Sequence, residues 1–180
     1  MKLCLDTCVI FPTVMREMLL GAAKAGFFTP MWSARILEEW RRAALKLGPA
    51  AQVQAEGEAA LLQAAWPRAE VKVEPGLEAR LWLPDPADVH VLAAAVAGSA
   101  DGIVTMNAKD FPRNVLAEEG LMRADPDGLL LGFAEADPAR MGAVAEAVRA
   151  EAERLSGESW EMRALMKKAR LPRLGKALAR

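Results

Sequence analysis

The chain alternates short apolar runs with longer stretches in which apolar residues recur at helical spacing. The first run, KLCLDT at residues 2–7, has the length and composition of a central strand. The run GIVT at residues 102–105 has the β-branched character of another buried strand. Weaker strand signals lie at residues 71–73 and at residues 27–29, the latter expected to end at Pro30.

Helices with clear start and stop residues are predicted between these strands. Ser33 is a suitable N-cap for a helix that runs to about Leu47. Asp85 has the position of an N-cap, Pro86 follows as the first helical residue, and Gly98 ends that helix. Further helices are predicted at residues 13–26, 50–66 and 138–155.

This alternation of strands and helices predicts an α/β fold with a parallel central sheet. We expect residues 1–125 to form the α/β domain and residues 126–180 to form a helical C-terminal extension, because the last third of the chain contains only helical patterns.

Composition excludes several classes of protein. With 53% hydrophobic residues among 180, the chain suits one compact domain with a sizeable core and a small appendage. No apolar run reaches the roughly 18 residues of a membrane span, and a signal peptide is not apparent, so we expect a cytoplasmic protein. The two cysteines, Cys4 and Cys8, exclude a disulfide framework and are interpreted as small core residues. The single histidine, His90, excludes a histidine-based catalytic triad.

Charge is distributed unevenly along the chain. The net charge of −1 excludes a uniformly basic nucleic-acid binder, yet residues 154–180 hold eight basic and two acidic residues. Such a run is either a solvated helical face or an RNA-binding surface. The candidate RNA-binding residues are Arg163, Lys167, Lys168, Arg170 and Arg173.

Two polar sites follow predicted strands, where the ligands of open parallel sheets bind. Asp6 lies at the end of the first strand, where an unpaired carboxylate would cost several kcal/mol. The loop from Asn107 to Asp110 follows the GIVT strand. We therefore expect Asp6 and Asp110 to be neighbours, with a partner that neutralises them.

Helical phase adds two more acids to this set. Glu39 lies on the margin of the apolar stripe that contains Trp40, whereas Glu38 points towards solvent. On the following buried helix, Asp88 is in phase with Leu92, and His90 is predicted on the other side as a structural or surface residue.

Four clustered carboxylates, at Asp6, Glu39, Asp88 and Asp110, would repel one another unless cations lay between them. Oxygen ligands of this kind suit Mg²⁺ or Mn²⁺. Such ions can orient water and polarise a phosphodiester without a nucleophilic side chain. Thr105 and Asn107 are the candidate polar helpers of this site.

Four motifs resemble those of the PIN domain family, whose members include metal-dependent ribonucleases and the VapC-type toxins of toxin–antitoxin pairs. The segments are LDTCVI, SARILEE, DVHVLAAA and TMNAKDF, in the family's order. By resemblance they place the acids of the family at Asp6, Glu39, Asp88 and Asp110, with Asp85 as an additional acid. Many relatives carry an acid at the position of Asn107.

The resemblance implies a three-layer α/β sandwich with a central parallel sheet, in the branch with extra C-terminal helices. It implies a Mg²⁺- or Mn²⁺-dependent endoribonuclease, the toxin of a type II toxin–antitoxin pair, with an antitoxin partner and a homodimeric state. The alternative is a catalytically weak module that binds RNA or a protein partner. A third hypothesis is a related nuclease acting on DNA or flap structures.

Several of these residues also have a purely structural interpretation. Asp85 and Asp88 suit a helix N-terminus whether or not a metal binds, and Asp110 can begin the next helix. Among the tryptophans, Trp32, Trp40 and Trp82 lie between apolar neighbours and are predicted in the core.

Overall fold

The computed structural model describes residues 1–179 and contains the α/β fold that the pattern predicts. Its strands within that range are β1 (Lys2–Leu5), β2 (Thr29–Ser33), β3 (Glu70–Val71), β4 (Gly102–Val104) and β5 (Met122–Ala124). Its helices are α1 (Thr7–Ile10), α2 (Thr13–Lys24), α3 (Ala34–Leu45), α4 (Pro49–Ala65), α5 (Leu77–Arg80), α6 (Val89–Ala97), α7 (Arg113–Glu118), α8 (Pro126–Ala136), α9 (Pro138–Ser156), α10 (Met162–Lys168) and α11 (Pro172–Leu178).

The strands form one parallel sheet in the order β3-β2-β1-β4-β5. The strands β2 and β3 are added on one side of β1, and β4 and β5 are added on the other side. Parallel sheets bind ligands at such a change of side, in the crevice outside the carboxyl ends of β1 and β4. The register pairs Leu5 with Val104, so the residues that follow the two strands emerge side by side. Buried Leu3, Ile103 and neighbouring apolar side chains form the core of the sheet.

The predicted end of the second strand at Pro30 was wrong, because β2 begins at Thr29 and continues through Pro30 to Ser33. Pro30 pairs with Leu3 on one side, and β3 joins the other side only from Trp32 onward. Proline has no backbone N–H, but at this position no hydrogen bond between β2 and β3 is lost.

Gly102 permits the close approach at the other side of the sheet. A Cβ at this position would lie 2.6 Å from the carbonyl oxygen of Met122 at the start of β5. Only a residue without a side chain fits between the two backbones.

The described chain divides into two compact units. The first, called here the sheet unit, comprises Met1–Phe11 and Thr29–Arg123. The second, the helical unit, comprises Pro12–Phe28 and the chain from Ala124 onward, so α2 groups with the C-terminal helices. No helix within residues 1–179 is both long and apolar enough to cross a bilayer.

Within the helical unit, a buried carboxylate joins α8 to α11. Asp127 is 7% exposed, and its oxygens accept the backbone N–H groups of Arg173 and Leu174 at 3.0 and 2.9 Å. These two amides belong to the first turn of α11, where backbone N–H groups have no carbonyl acceptor within the helix. Asp127 therefore serves as the N-terminal cap of a helix remote from it in sequence.

Candidate metal centre

Asp6 and Thr105 are brought together by the pairing of β1 with β4. The Asp6 backbone N–H donates to the Val104 carbonyl at 3.1 Å, which continues the ladder one residue beyond β1. The Thr105 hydroxyl then donates to Asp6 Oδ2 at 2.7 Å. Both residues are almost completely buried, at 5% and 2% exposed. The strand-end position predicted for Asp6 thus has a specific structural partner.

The thiol of Cys8 is a second donor to Asp6. Its Sγ lies 3.1 Å from Asp6 Oδ2 and accepts the Met106 N–H at 3.3 Å. Burial, followed by the negative charge of Asp6, raises the pKa of Cys8 to about 12. The thiol therefore stays protonated and can donate at neutral pH. Cys4 is fully buried, as predicted, whereas Cys8 is half-buried and belongs to the site.

Three carboxylates converge next to this pair. One ligand oxygen from each of Asp85, Asp88 and Asp110 lies within 4.8 Å of the others. Asp85 is also the predicted N-cap, with Oδ1 accepting the Ala87 N–H at 2.9 Å, so its capping and clustering roles coexist. The first turn, Pro86–Asp88, is a 3-10 turn that leads directly into α6.

Asn107 ties two of these acids together. Its side-chain amide donates to Asp110 Oδ2 at 2.8 Å and to Asp88 Oδ2 at 3.2 Å. Its own backbone N–H donates to the Thr105 hydroxyl at 2.9 Å. Thr105 and Asn107, predicted as polar helpers, therefore form a continuous hydrogen-bonded path from Asp6 to Asp110.

The electrostatics of Asp88 indicate that this cluster suits a cation. Burial, followed by the charges of Asp6, Asp85, Asp110 and Glu39 in that order, raises the pKa of Asp88 from 3.8 to about 6. A divalent cation among these oxygens would remove the repulsion, and carboxylate oxygens are the ligands that Mg²⁺ and Mn²⁺ prefer. The donor set therefore fits a divalent metal ion.

Glu39 is held at both carboxylate oxygens. The Thr7 hydroxyl lies 3.0 Å from Oε2, and His90 Nε2 lies 2.7 Å from Oε1. The His90 contact is an ion pair by distance when the imidazole is protonated, although its angle departs from that of a linear hydrogen bond. Burial favours a higher pKa for Glu39, but His90 and then Thr7 outweigh it and lower the pKa below its ordinary value. Glu38 faces solvent, as predicted, and the structure also pairs it with Arg42.

The surface interpretation of His90 was wrong, because the residue is 2% exposed. Its helix α6 is apolar around most of its circumference, so helical phase could not identify the face that meets α3. A lone histidine two residues after a candidate ligand was the available sequence signal.

Arg123 is a further residue that the sequence interpretation missed. Its Nη1 donates to the carbonyl oxygens of Ala108 and Phe111, both at 2.8 Å. These carbonyls flank Asp110 in the chain, so the guanidinium holds the loop that carries this carboxylate. No motif marks Arg123, because its role depends on β5 lying near this loop.

The remaining predicted residues lie elsewhere or differ from expectation. Trp32 and Trp40 are buried as predicted, at 0% and 3% exposed, but Trp82 is 64% exposed and its predicted core position was wrong. The candidate RNA-binding residues are exposed on α10, α11 and the segment that joins them in the helical unit: Arg163, Lys167, Lys168, Arg170 and Arg173.

Comparison with known protein families agrees with the geometry. The family model described as PIN domain matches residues 2–109, more than half of the chain. This chain belongs to the PIN domain family. Comparisons with curated proteins and with solved structures give no match.

PIN domains are generally metal-dependent nucleases, and this one has an acidic cluster that can bind a metal ion. The family match covers Asp6, Glu39, Asp85, Asp88, Thr105 and Asn107. It ends one residue before Asp110, which the Asn107 hydrogen bond joins to the same cluster.

Proposed function

We propose that this PIN domain protein is a Mg²⁺- or Mn²⁺-dependent endoribonuclease that hydrolyses RNA phosphodiesters. The observation that carries the proposal is the convergence of Asp85, Asp88 and Asp110 within 4.8 Å of one another at the carboxyl edge of the sheet. The charges of Asp6 and Glu39 act on the same cluster.

The chain's own residues have distinct roles in this proposal. Asp88 and Asp110 hold the metal together with Asp6 and Glu39, and Asp85 is the additional ligand. Thr105 and Cys8 orient Asp6, while Asn107 sets the spacing of Asp88 and Asp110. When bound, a divalent cation supplies Lewis acidity towards the phosphodiester and stabilises its developing negative charge.

The choice of RNA and the cellular role rest on the resemblance of the four motifs to VapC-type toxins. By this resemblance the protein is the toxin of a type II toxin–antitoxin pair, acts in the cytoplasm as a homodimer and has an antitoxin partner. For a toxin of this kind, we expect a variant that lacks metal-dependent cleavage to lack the cellular effect as well.

The exposed basic residues of the helical unit are proposed to contact RNA phosphates. Arg163, Lys167 and Arg170 are exposed, and Lys168 Nζ lies 4.4 Å from the centroid of the Trp160 ring. Replacing Lys167 or Arg170 with alanine should lower the slope of log affinity against log salt by about one per lost contact. Lys46→Ala, at an exposed position in the sheet unit, is the control and should leave the slope unchanged.

A catalytically weak binding module is the second candidate, and Asn107 favours it. Here a neutral amide satisfies Asp88 and Asp110 by hydrogen bonding, as a cation would do by charge. Calorimetry with Mn²⁺ separates the two candidates, because a degenerate site would show no binding that depends on Asp88 and Asp110.

The decisive experiment is cleavage of a mixed pool of structured and unstructured RNAs, with and without Mn²⁺, by the native chain and by Asp6→Asn. Asparagine keeps an acceptor for Thr105 and Cys8, so the fold should survive while metal-dependent cleavage is lost. Glu38→Gln is the matched control and should cleave normally. Equal cleavage by the native chain and Asp6→Asn would disprove the assignment, and cleavage of single-stranded DNA in place of RNA would reassign the substrate.

A further inference from the structure

A second concave site lies on the same edge of the sheet as the acidic centre. It is a cleft of about 400 Å³ beyond the ends of β2 and β3, bordered by the start of α3. Because the strands are parallel, their carboxyl ends share one edge, and the cleft and the acidic centre both open there. The volume falls within the range of roughly 300–1,000 Å³ that small-ligand sites occupy.

The charges around this cleft balance one another. Arg35 and Lys72 contribute two positive charges, and Glu70 and Glu78 contribute two negative ones. The Arg35 guanidinium lies 3.1 Å from Glu78, but both side chains are about half exposed, so this ion pair opens at little cost. A balanced lining favours neither a phosphate nor a metal cation as the principal ligand.

The rest of the lining is apolar or neutral. Ala34, Val71 and Val73 form the apolar part of the wall, and Ser33 lies at the end of β2. A ligand that combines a flat apolar face with hydrogen-bonding edges suits such a lining. The nucleoside portion of a nucleic acid has this chemistry.

His90 is common to the cleft and the acidic centre. It lines the cleft, while its Nε2 lies 2.7 Å from Glu39 on the side of the centre. Among the described residues, no side chain or backbone group hydrogen-bonds its Nδ1, although the residue is 2% exposed. A buried ring nitrogen without a partner is costly.

We propose that this cleft is a subsite for a nucleoside of the RNA strand, adjacent to the phosphodiester that the acidic centre cleaves. The proposal rests on the proposed ribonuclease function and adds to it the place where the strand is held. His90 separates the two sites, so a strand that crosses it presents its phosphate to the carboxylates and its base to the cleft.

Filling the cleft tests this directly. Ala34→Trp places an indole at the exposed first residue of α3, on the wall of the cleft. Ala60→Trp, at an exposed position on α4 outside the cleft, is the matched control. If Ala34→Trp disturbs the amide spectrum as a whole, Val73→Trp, at another residue that lines the cleft, takes its place.

The first measurement is amide chemical shifts of the ¹⁵N-labelled protein during titration with the four ribonucleosides, and separately with inorganic phosphate. We expect nucleoside-dependent shifts at residues 33–35, 70–73 and 90 that disappear in Ala34→Trp and persist in Ala60→Trp. No shift in this region with any nucleoside, or shifts that Ala34→Trp leaves unchanged, would overturn the proposal.

The second measurement separates this proposal from the proposed function. Ala34→Trp should weaken binding of a short RNA by about tenfold, a loss equivalent to one good hydrogen-bonding contact, with Mn²⁺ affinity unchanged. Metal-dependent cleavage with normal RNA affinity in Ala34→Trp refutes the subsite alone. Absence of cleavage that depends on Mn²⁺ and Asp6 refutes the ribonuclease function itself.

Discussion

His90 Nε2 lies 2.7 Å from Glu39 Oε1, and the Thr7 hydroxyl lies 3.0 Å from the other oxygen of the same carboxylate. Glu39 is therefore fixed in orientation before any ligand arrives. His90 is nearly inaccessible to solvent, whereas the Glu39 side chain is 35% exposed. The histidine acts as a positioning residue for the carboxylate that faces the acidic centre.

His90→Ala should weaken Mn²⁺ binding by about 10–100-fold, the usual effect of removing a group that orients a metal ligand. His90→Gln retains a side-chain N–H for Glu39 and should recover part of the affinity. Calorimetric titration of both variants with Mn²⁺ checks this, with thermal unfolding in EDTA as a measure of any loss of fold. Equal affinities in His90→Ala, His90→Gln and the native chain would show that His90 only fills space.

The raised pKa of Asp88 predicts how the metal-free protein responds to pH. Burial and four neighbouring carboxylates raise it from 3.8 to about 6, so between these values the folded state binds more protons than the unfolded state. Stability contributed by this group is fully present below pH 3.8 and is lost as the pH rises through about 6.

Asp88→Asn removes that repulsion and should raise Tm of the metal-free protein at pH 7.5 by about 2–4 °C. The difference should shrink as the pH falls below 6, and Mn²⁺ should stabilise the native chain but not the variant. Thermal unfolding at several pH values, with EDTA or with Mn²⁺, measures both effects. A lower Tm for Asp88→Asn at pH 7.5 in EDTA would contradict the raised pKa.

Replacing Arg123 should weaken metal binding, although Arg123 does not contact the proposed metal ligands directly. Arg123→Met removes the donor to the carbonyls of Ala108 and Phe111, so the loop that carries Asp110 loses its anchor. We expect about tenfold weaker Mn²⁺ binding, measured by calorimetry. Arg113→Met, a nearby exposed arginine at the start of α7, should bind Mn²⁺ normally. Unchanged affinity in Arg123→Met would mean that the loop needs no anchor.

Asp127→Ala should lower the free energy of unfolding by about 1–3 kcal/mol, because it leaves the Arg173 and Leu174 amides at the start of α11 without their acceptor. Asp127→Asn keeps one acceptor oxygen and should lose less. Urea unfolding followed by circular dichroism compares the two variants. Similar losses for alanine and asparagine would show that the charge, and not the acceptor geometry, matters here.

The sequence alone was sufficient for the features that depend on local patterning. Apolar runs identified β1 and β4, and the caps at Ser33 and Asp85 located the starts of the helical segments, because these signals involve residues close in the chain. The sequence also indicated that Asp6 needs a partner, because a charge at the end of a buried strand is costly whatever the rest of the fold.

Only the tertiary structure decided the contacts between remote segments. Pairing of β1 with β4 brings Thr105 to Asp6, and the meeting of α3 with α6 brings His90 to Glu39. Helical phase could not resolve the second pair, because α6 is apolar around most of its circumference and has no single buried face to predict. The exposed position of Trp82 and the anchoring role of Arg123 likewise depend on the path of the chain in space. Local composition determines which segments fold as helices or strands, whereas these contacts depend on how those segments pack.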